Sequence, residues 1–232
     1  MDVTTVASWQ QLPRTAHLPG TVVVIDLLRA TSTVVAALAS GAREVVPVAQ
    51  VAQARQLARP GDLLAGERGG LPIPGFDLSN SPREAHGAPL GDRRVILTTT
   101  NGTRAVRRAV RAGAQRILLA ALLNVSATAR AVEGTRRLTL LCAGTDGQAS
   151  LDDLFCAGAL LHRLAPREVD DLGLAARELY AAHRDHPVDY LSLCAHGRRL
   201  LQLGLAQDLE FCCREDALPL VAAYVDGSVG RA

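Results

Sequence analysis

Two segments of this chain align with each other without a gap, and this repeat limits the folds that the chain can adopt. Residues 25–46 align with residues 97–118, and Gly41-Ala42 falls on Gly113-Ala114. Each copy has the pattern of a buried strand, a polar turn, an amphipathic helix and a second strand. A weaker third unit begins at Leu138. Repeated units of this kind predict a three-layer α/β/α sandwich with a mainly parallel sheet, or a variant of it with two similar intertwined halves.

Polar turns follow the first strand of each unit. The turn at residues 98–103 carries hydroxyl and amide side chains at a helix N-terminus, where unpaired N–H groups and the helix dipole favour an anion such as phosphate. The turn at residues 26–32 carries an acid and a base, and the turn at residues 143–147 is rich in glycine. Parallel strands would bring all three turns to one edge of the sheet, where ligands bind in open α/β sheets. We therefore expect a ligand site at that edge.

Composition excludes several classes of function. Aromatic residues make up only 3% of the chain and the net charge is +2, so a nucleic-acid-binding module is not expected. All 25 basic residues are arginine, which rules out a Schiff-base lysine and a lysine-bearing P-loop. An anion must therefore be bound by arginine, backbone N–H groups, hydroxyls or a metal ion.

The sequence favours a cytoplasmic protein. The N-terminus lacks a basic region followed by an apolar core, and the longest apolar runs are too short to span a membrane. The five cysteines are odd in number and contain no CxxC pattern, which is typical of reduced thiols. Nothing in the sequence determines the oligomeric state, although an α/β enzyme of this size is often a homodimer.

The organisation that we predict is a single domain over residues 1–232, with two intimately packed α/β halves as its variant form. Residues 66–92 are rich in glycine and proline and are predicted to form a long loop that serves as a lid or site wall. Towards the C-terminus, the patterns predict helices over residues 172–183 and 193–203. A final extended segment is predicted over residues 218–225.

Five motifs in this order resemble those of the 2-phosphosulfolactate phosphatases. They are Asp26–Ser32, Gly66–Gly70, Gly75–Pro82, Leu97–Thr103, and Cys142–Thr145 followed by Asp152-Asp153 and Cys156–Gly158. Two positions depart from the family pattern. Leu27 replaces the usual valine, and Asp152 replaces the usual glutamate, which shortens a carboxylate arm by one methylene. After Gly158 the resemblance is weaker, so it assigns no residue there.

The resemblance implies a Mg²⁺-dependent phosphatase that removes phosphate from 2-phospho-3-sulfolactate on the route to coenzyme M. This substrate carries three anionic groups, for which arginine supplies planar donors, while magnesium requires hard oxygen ligands. We expect the catalytic residues to be Asp26, Arg29, Glu67 and Arg68. Asp26 is expected to be either a magnesium ligand or a nucleophile, and the sequence does not separate these roles.

Further residues are expected to bind the substrate or the metal. The predicted substrate-binding residues are Thr31, Ser32, Asn80, Ser81, Thr100, Asn101, Gly102, Thr103 and Thr145. The predicted magnesium ligands are Asp26, Glu67, Asp77, Asp152 and Asp153. Ser150 to Asp153 also resembles a helix capping box in which Asp replaces Glu.

Two alternative functions remain open from the sequence. One is a phosphatase or transferase acting on another small phosphorylated hydroxy acid or on a sugar phosphate. The other is a non-catalytic anion-binding α/β domain. The second alternative does not explain the carboxylates, because they would repel an anionic ligand unless a cation lies between them.

Overall fold

Ten β-strands form one sheet in the computed structural model of the chain, which describes residues 1–232. They lie in the order β1-β8-β2-β7-β9-β10-β3-β6-β4-β5 across the sheet. In chain order the strands are β1 (Asp2–Val6), β2 (Thr21–Ile25), β3 (Glu44–Val48), β4 (Leu63–Arg68), β5 (Leu71–Pro72), β6 (Arg94–Thr98), β7 (Arg116–Ala120), β8 (Arg137–Cys142), β9 (Ala222–Val225) and β10 (Ser228–Arg231).

Ten α-helices accompany the sheet, together with two short 3₁₀ turns at Trp9–Gln11 and Leu122–Asn124. The helices are α1 (Ala30–Ala39), α2 (Val51–Leu57), α3 (Pro82–Gly87), α4 (Gly102–Arg111), α5 (Val125–Val132), α6 (Leu151–Leu164), α7 (Asp171–His183), α8 (Pro187–Ser192), α9 (Ala195–Gln202) and α10 (Ala206–Cys212). None of them is long and apolar enough to cross a membrane.

Parallel pairing divides the sheet into two blocks. In the first block β1, β8, β2 and β7 pair in parallel, and in the second block β3, β6 and β4 do so. The hairpin of β9 and β10 lies between the blocks and pairs antiparallel with β7 on one side and β3 on the other. The predicted α/β class with a mainly parallel sheet is confirmed, but the strand direction reverses between the two blocks.

Each copy of the internal repeat contributes one strand to each block. The first copy runs from β2 in the first block through α1 to β3 in the second. The second copy runs from β6 in the second block through α4 to β7 in the first. One cluster of 55 buried apolar residues extends through both blocks. The exchange of strands therefore makes the two blocks share one core.

The polar turns meet through helix contacts, and not along a single parallel edge as the repeat predicted. Because the strand direction reverses between the blocks, pairing alone does not place the ends of β2 and β6 side by side. The first turns of α1 and α4 instead pack against each other. A Cβ atom added to Gly102 would lie 2.6 Å from the Cβ atom of Ala30, so only glycine fits at this contact.

Residues 66–92 contain more regular structure than the predicted long loop. They include the end of β4, the short strand β5 and the helix α3. This helix begins immediately after Ser81, whose hydroxyl accepts a hydrogen bond from the Glu84 N–H group at 3.1 Å. A serine N-cap followed by proline at the first helical position is favourable, and it starts a helix that the glycine and proline content concealed.

The predicted C-terminal elements are confirmed with small differences in their bounds. Helices α7 and α9 occupy the two segments that were predicted to be helical. The predicted final extended segment corresponds to β9, and β10 follows it to complete the hairpin that joins the blocks.

Candidate active site

A cavity of about 240 Å³ lies where the turns after β2, β4, β6 and β8 approach α9. The side chains that were predicted from the sequence and that line it are Asp26, Arg29, Glu67, Asn80, Thr100, Asn101 and Thr145. His196, Arg199 and Asp146 line it as well, although the sequence did not point to them. The cavity is therefore strongly polar and carries side chains of both charges.

Asp26 directly follows β2 and its side chain is buried at the floor of the cavity. Its Oδ1 atom accepts a hydrogen bond of 3.2 Å from the N–H group of Ala30, the first residue of α1. Its Oδ2 atom lies against Gly102, where an added Cβ would approach it to 2.6 Å. The carboxylate thus lies at the junction of the N-termini of α1 and α4, where the positive ends of both helix dipoles favour negative charge.

Burial raises the pKa of Asp26 to about 6, because the ionised form loses its hydration. The charge of His196 and the hydrogen bond from Ala30 act in the opposite direction, whereas the carboxylates of Asp152 and Glu67 raise the pKa further. A cation at this carboxylate would favour its ionised form.

Arg29 presents a buried guanidinium group to the cavity. Its Nη1 atom donates to Asp208 Oδ2 at 2.7 Å, and its Nη2 atom donates to the Gly70 carbonyl at 3.0 Å. Asp208 lies in α10 and also accepts a hydrogen bond of 2.5 Å from the Ser81 hydroxyl. Ser81 therefore fixes the partner of Arg29 and does not line the cavity, in contrast to its predicted role in substrate binding.

Glu67 organises the two turns beside it. Its Oε1 atom accepts hydrogen bonds from the N–H group and the hydroxyl of Thr100, at 2.8 and 2.9 Å. Its Oε2 atom accepts from the Gly70 N–H group at 2.8 Å. Glu67 thus joins the end of β4 to the loop before α4, and it faces the cavity at the same time.

Arg68 and Asp77 do not line the cavity. The Arg68 guanidinium donates to protein oxygens, among them the Glu67 carbonyl at 2.6 Å and the Thr98 hydroxyl at 2.9 Å. These contacts hold β4 against the end of β6. Asp77 is exposed, and its Oδ2 atom accepts from the Leu64 N–H group at 2.8 Å. The structure therefore places the Asp77 carboxylate outside the predicted metal site, because it is directed back along β4.

Four of the predicted substrate-binding residues form local contacts instead of lining the cavity. The Thr31 hydroxyl donates to the Asp26 carbonyl at 2.8 Å, and the Ser32 hydroxyl donates to the Leu27 carbonyl at 2.7 Å. Thr103 donates to the Thr99 carbonyl at 3.2 Å. Gly102 provides the close approach of the two helices. These residues shape the turns that carry the site.

Asp152 and Asp153 attach α6 to the turn after β2. Asp153 accepts hydrogen bonds of 2.9 Å from the N–H groups of both Leu27 and Gly144, and Asp152 Oδ2 accepts from the Leu28 N–H group at 3.3 Å. Burial and the neighbouring carboxylates raise the pKa of Asp153 well above its usual range. The predicted capping box is absent, because Ser150 forms no side-chain cap and both carboxylates point towards Leu27 and Leu28.

His196 connects α9 to the floor of the cavity. Its Nδ1 atom lies 3.3 Å from Asp152 Oδ2, and its Nε2 atom lies 2.7 Å from the Thr145 hydroxyl. The charge of Asp152 raises the pKa of His196 to about 10 despite its partial burial. The imidazole is therefore protonated at neutral pH and forms a positive wall of the cavity.

Asn80 is the buried polar group of the site that lacks a partner. Its side chain is 4% exposed, it lines the cavity, and its Oδ1 atom forms no hydrogen bond. Buried amide groups normally have partners, so an unpaired one beside a polar cavity indicates a position that a ligand satisfies. The Nδ2 end of the same amide forms no hydrogen bond within the protein either, so Asn80 can donate to an anion here.

Few sequence patterns point to the functional residues of the C-terminal third. Asp208 contacts Arg29 although 179 positions of the chain separate them, and His196 contacts Asp152 although 44 positions separate them. No local motif surrounds either residue. A buried arginine requires a carboxylate partner, but the C-terminal third contains many acidic residues, so this requirement alone does not single out Asp208.

The residues present are compatible with magnesium only in an open site. No three His, Cys, Asp or Glu side chains lie close enough to form a ready-made metal cage. Magnesium does not require one, because it commonly uses one or two carboxylates together with waters and substrate phosphate. Asp26 and Glu67 are the predicted ligands that line the cavity, while Asp152 and Asp153 lie behind it with their oxygens bonded to backbone N–H groups.

Comparison with known proteins shows the family to which the chain belongs. The sequence matches the family described as 2-phosphosulpholactate phosphatase over residues 7–227. A protein of Symbiobacterium thermophilum named "Probable 2-phosphosulfolactate phosphatase" is 43% identical over 228 residues, which cover 94% of this chain and 97% of the relative. A protein with the same name from Caldanaerobacter subterraneus is 43% identical, and the match covers 90% of this chain and 89% of the relative. Another from Deinococcus radiodurans is 41% identical, and the match covers 91% of this chain and 90% of the relative. The chain therefore belongs to the 2-phosphosulfolactate phosphatase family.

Proposed function

We propose that this protein hydrolyses 2-phospho-3-sulfolactate to 3-sulfolactate and phosphate, and that the reaction requires Mg²⁺. The names of the relatives support the substrate. The observation that carries the proposal is the buried Asp26 carboxylate at the junction of two helix N-termini, inside a cavity that also presents Arg29. A phosphoryl group and an acidic side chain occupy one such site only when cationic charge lies between them.

The reaction breaks the bond between phosphorus and the C2 oxygen of the substrate. Water supplies the oxygen that the phosphate gains and the proton that the sulfolactate hydroxyl gains. The side-chain amides of Asn80 and Asn101, which both line the cavity, are suited to donate to phosphoryl oxygens. Arg29 adds positive charge where negative charge develops in the transition state.

Magnesium would be held by Asp26, with Glu67 as the second carboxylate at the cavity wall. When bound, it would neutralise phosphoryl charge and orient the attacking group. The chain's own contribution is the fixed position of Asp26, which α1, the Thr31 hydroxyl and Gly102 determine together.

The lining of the cavity favours this function over a sugar-phosphate enzyme and over a non-catalytic anion-binding domain. No Phe, Tyr or Trp side chain lines it, so it offers no aromatic surface for a nucleotide base or a sugar ring. A non-catalytic anion-binding domain would not require the carboxylates of Asp26 and Glu67 in contact with the ligand. A small substrate that carries several acidic groups agrees best with the charges present.

The proposed reaction also implies a metabolic route and a cellular compartment. Sulfolactate formation would place the protein on the route to coenzyme M, and we propose that it acts in the cytoplasm. Its five cysteines are all unpaired, which agrees with a reducing compartment. A homodimer remains a prediction, which light scattering of the purified protein would test.

The test is phosphate release by the purified protein from 2-phospho-3-sulfolactate and from 2-phospholactate, with Mg²⁺ and with a chelator. We expect release that requires Mg²⁺ and is faster with the sulfonated compound. Equal rates with both compounds would support a phosphatase activity but refute 2-phospho-3-sulfolactate as the specific substrate. No release with any divalent metal would refute the proposed function.

A further inference from the structure

Arg199 lies at the mouth of the cavity and belongs to no motif of the sequence. It is exposed on α9, lines the cavity, and its Nη2 atom donates to the Gly69 carbonyl at 3.2 Å. This contact directs the guanidinium over the turn between β4 and β5. The side chain is therefore placed beside the opening and not directed away into solvent.

The charge of Arg199 is the one cationic charge of the cavity without a carboxylate partner. Arg29 pairs with Asp208, and His196 pairs with Asp152. No carboxylate oxygen lies within 4.0 Å of Arg199, and the nearby Asp146 at the mouth forms no ion pair with it. An anion that enters the cavity would meet this unpaired guanidinium first.

Helix α9 holds Arg199 in a defined position. Gly197 packs so closely on α8 that an added Cβ atom would lie 1.8 Å from the Leu191 carbonyl oxygen. At the other end of α9, a Cβ atom on Gly70 would lie 2.8 Å from a methyl group of Leu203. Because α9 is anchored on both sides, Arg199 has a fixed base from which to contact a ligand.

We propose that Arg199 forms a second anion subsite, which binds the sulfonate group of the substrate. This inference rests on the proposed function. The phosphate is assigned to the floor, where Asp26 and Arg29 are 7% and 4% exposed. The carboxylate carbon of the substrate is attached directly to the carbon that bears the phosphate, whereas the sulfonate is one carbon further away. The sulfonate is thus the group that reaches the mouth, where a planar guanidinium can donate two hydrogen bonds to its oxygens.

The test compares the Arg199→Gln variant with the wild type on three compounds. These are 2-phospho-3-sulfolactate, 2-phospholactate, which lacks the sulfonate, and O-phosphoisethionate, which lacks the carboxylate. The last compound is measured both as a substrate and as a competitive inhibitor. Arg198→Gln is the matched control, because Arg198 is the exposed neighbour on α9 and does not line the cavity.

We expect Arg199→Gln to raise KM for 2-phospho-3-sulfolactate about tenfold with kcat nearly unchanged, as for the loss of one partly screened charge-assisted contact. Binding of O-phosphoisethionate should weaken by the same factor, whereas 2-phospholactate should be unaffected. Arg198→Gln should change none of these values by more than about twofold.

The inference would be overturned if Arg199→Gln weakened the binding of all three compounds equally. It would also be overturned if the variant bound the two sulfonated compounds as well as the wild type does. If Arg199→Gln weakened the binding of 2-phospholactate but not that of O-phosphoisethionate, Arg199 would bind the substrate carboxylate, and the inference would be overturned as well. If the wild type hydrolyses none of the compounds, the proposed function fails by itself. Calorimetry with 3-sulfolactate and lactate then tests the subsite separately, since only sulfolactate binding should depend on Arg199.

Discussion

The guanidinium group of Arg29 and the carboxylate of Asp208 form an ion pair with 2.7 Å between Nη1 and Oδ2, and both side chains are at least 96% buried. The pair joins the turn after β2 to α10 and fixes the arginine that faces the cavity. Breaking a buried pair by removing one charge leaves the other uncompensated, which costs more than the pair itself contributes.

Asp208→Asn should therefore lower the free energy of unfolding by about 3 kcal/mol, because Arg29 would remain buried without an opposite charge. Urea denaturation followed by circular dichroism measures this change. Glu210→Gln is the control, since Glu210 is an exposed acid on the same helix and forms no ion pair within 4.0 Å. It should change the free energy of unfolding by less than about 0.5 kcal/mol. Equal effects of the two variants would refute a special role of the pair.

Gly102→Ala should damage both stability and activity. Its new Cβ atom would lie 2.6 Å from Asp26 Oδ2 and from the Ala30 Cβ atom, so α1 and α4 would have to separate. Overpacking of this kind costs about 1–3 kcal/mol, and a displaced Asp26 should reduce kcat at least roughly tenfold. Gly87→Ala serves as control, because a Cβ atom at Gly87 meets nothing within 4 Å. Thermal unfolding and phosphate release measure the two effects, and a Gly102→Ala variant with normal kcat would contradict the account.

His196 should make the stability of the protein depend on alkaline pH. Its pKa is raised from 6.5 to about 10 by Asp152, so the folded protein retains a proton that the unfolded chain releases. The resulting stabilisation is fully present below pH 6.5 and is lost as the pH rises towards about 10.

The measurement is the difference in free energy of unfolding between the wild type and His196→Gln, taken from pH 6 to pH 10. This difference should shrink as the pH rises. His17→Gln is the control variant, because His17 is exposed and forms no contact with a carboxylate within 4.0 Å. A difference that stays constant with pH would show that His196 is not charged in the folded protein.

Asn80 and Asn124 are both buried asparagines, but alanine substitution should destabilise the protein much more at Asn124 than at Asn80. Asn124 accepts from the Ala121 N–H group at 2.9 Å and donates to the Leu119 and Leu220 carbonyls at 3.2 and 3.1 Å. Its loss should cost about 2 kcal/mol or more, because the partners would remain unsatisfied.

Asn80→Ala should instead leave the free energy of unfolding within about 1 kcal/mol of the wild type, since the Oδ1 atom has no partner to lose. We expect Asn80→Ala to raise KM for the phosphorylated substrate, and assays of phosphate release measure this change. An Asn80→Ala variant that is destabilised as much as Asn124→Ala, with an unchanged KM, would refute a ligand-binding role.

The sequence was sufficient for the class of fold and for the turns that carry the site. The gapless repeat of residues 25–46 and 97–118 contains its own strand and helix periodicity, which is a local property. It did not show that each copy places its two strands in different blocks of the sheet. That arrangement depends on the β9–β10 hairpin, which is formed by residues far along the chain.

Individual roles at the site were harder to predict for a related reason. Arg68 has the chemistry of a phosphate-binding residue, but it donates to backbone carbonyls of Glu67 and Thr98 that no sequence pattern reveals. Arg199 and Asp208 contribute to the site only through the packing of α9 and α10. Side chains that directly follow a strand, such as Asp26, were predictable because the strand itself fixes their place.

We propose that Asp26 is the essential carboxylate of a Mg²⁺-dependent phosphatase. The most direct measurement is the rate of phosphate release from 2-phospho-3-sulfolactate by wild type, Asp26→Asn and Asp77→Asn, each with Mg²⁺. Asp77 is a matched control, because its carboxylate lies outside the cavity and is exposed. We predict that Asp26→Asn loses at least about a thousandfold in kcat while it remains folded, and that Asp77→Asn stays within about threefold of the wild type. A folded Asp26→Asn variant with near-normal kcat would contradict the account.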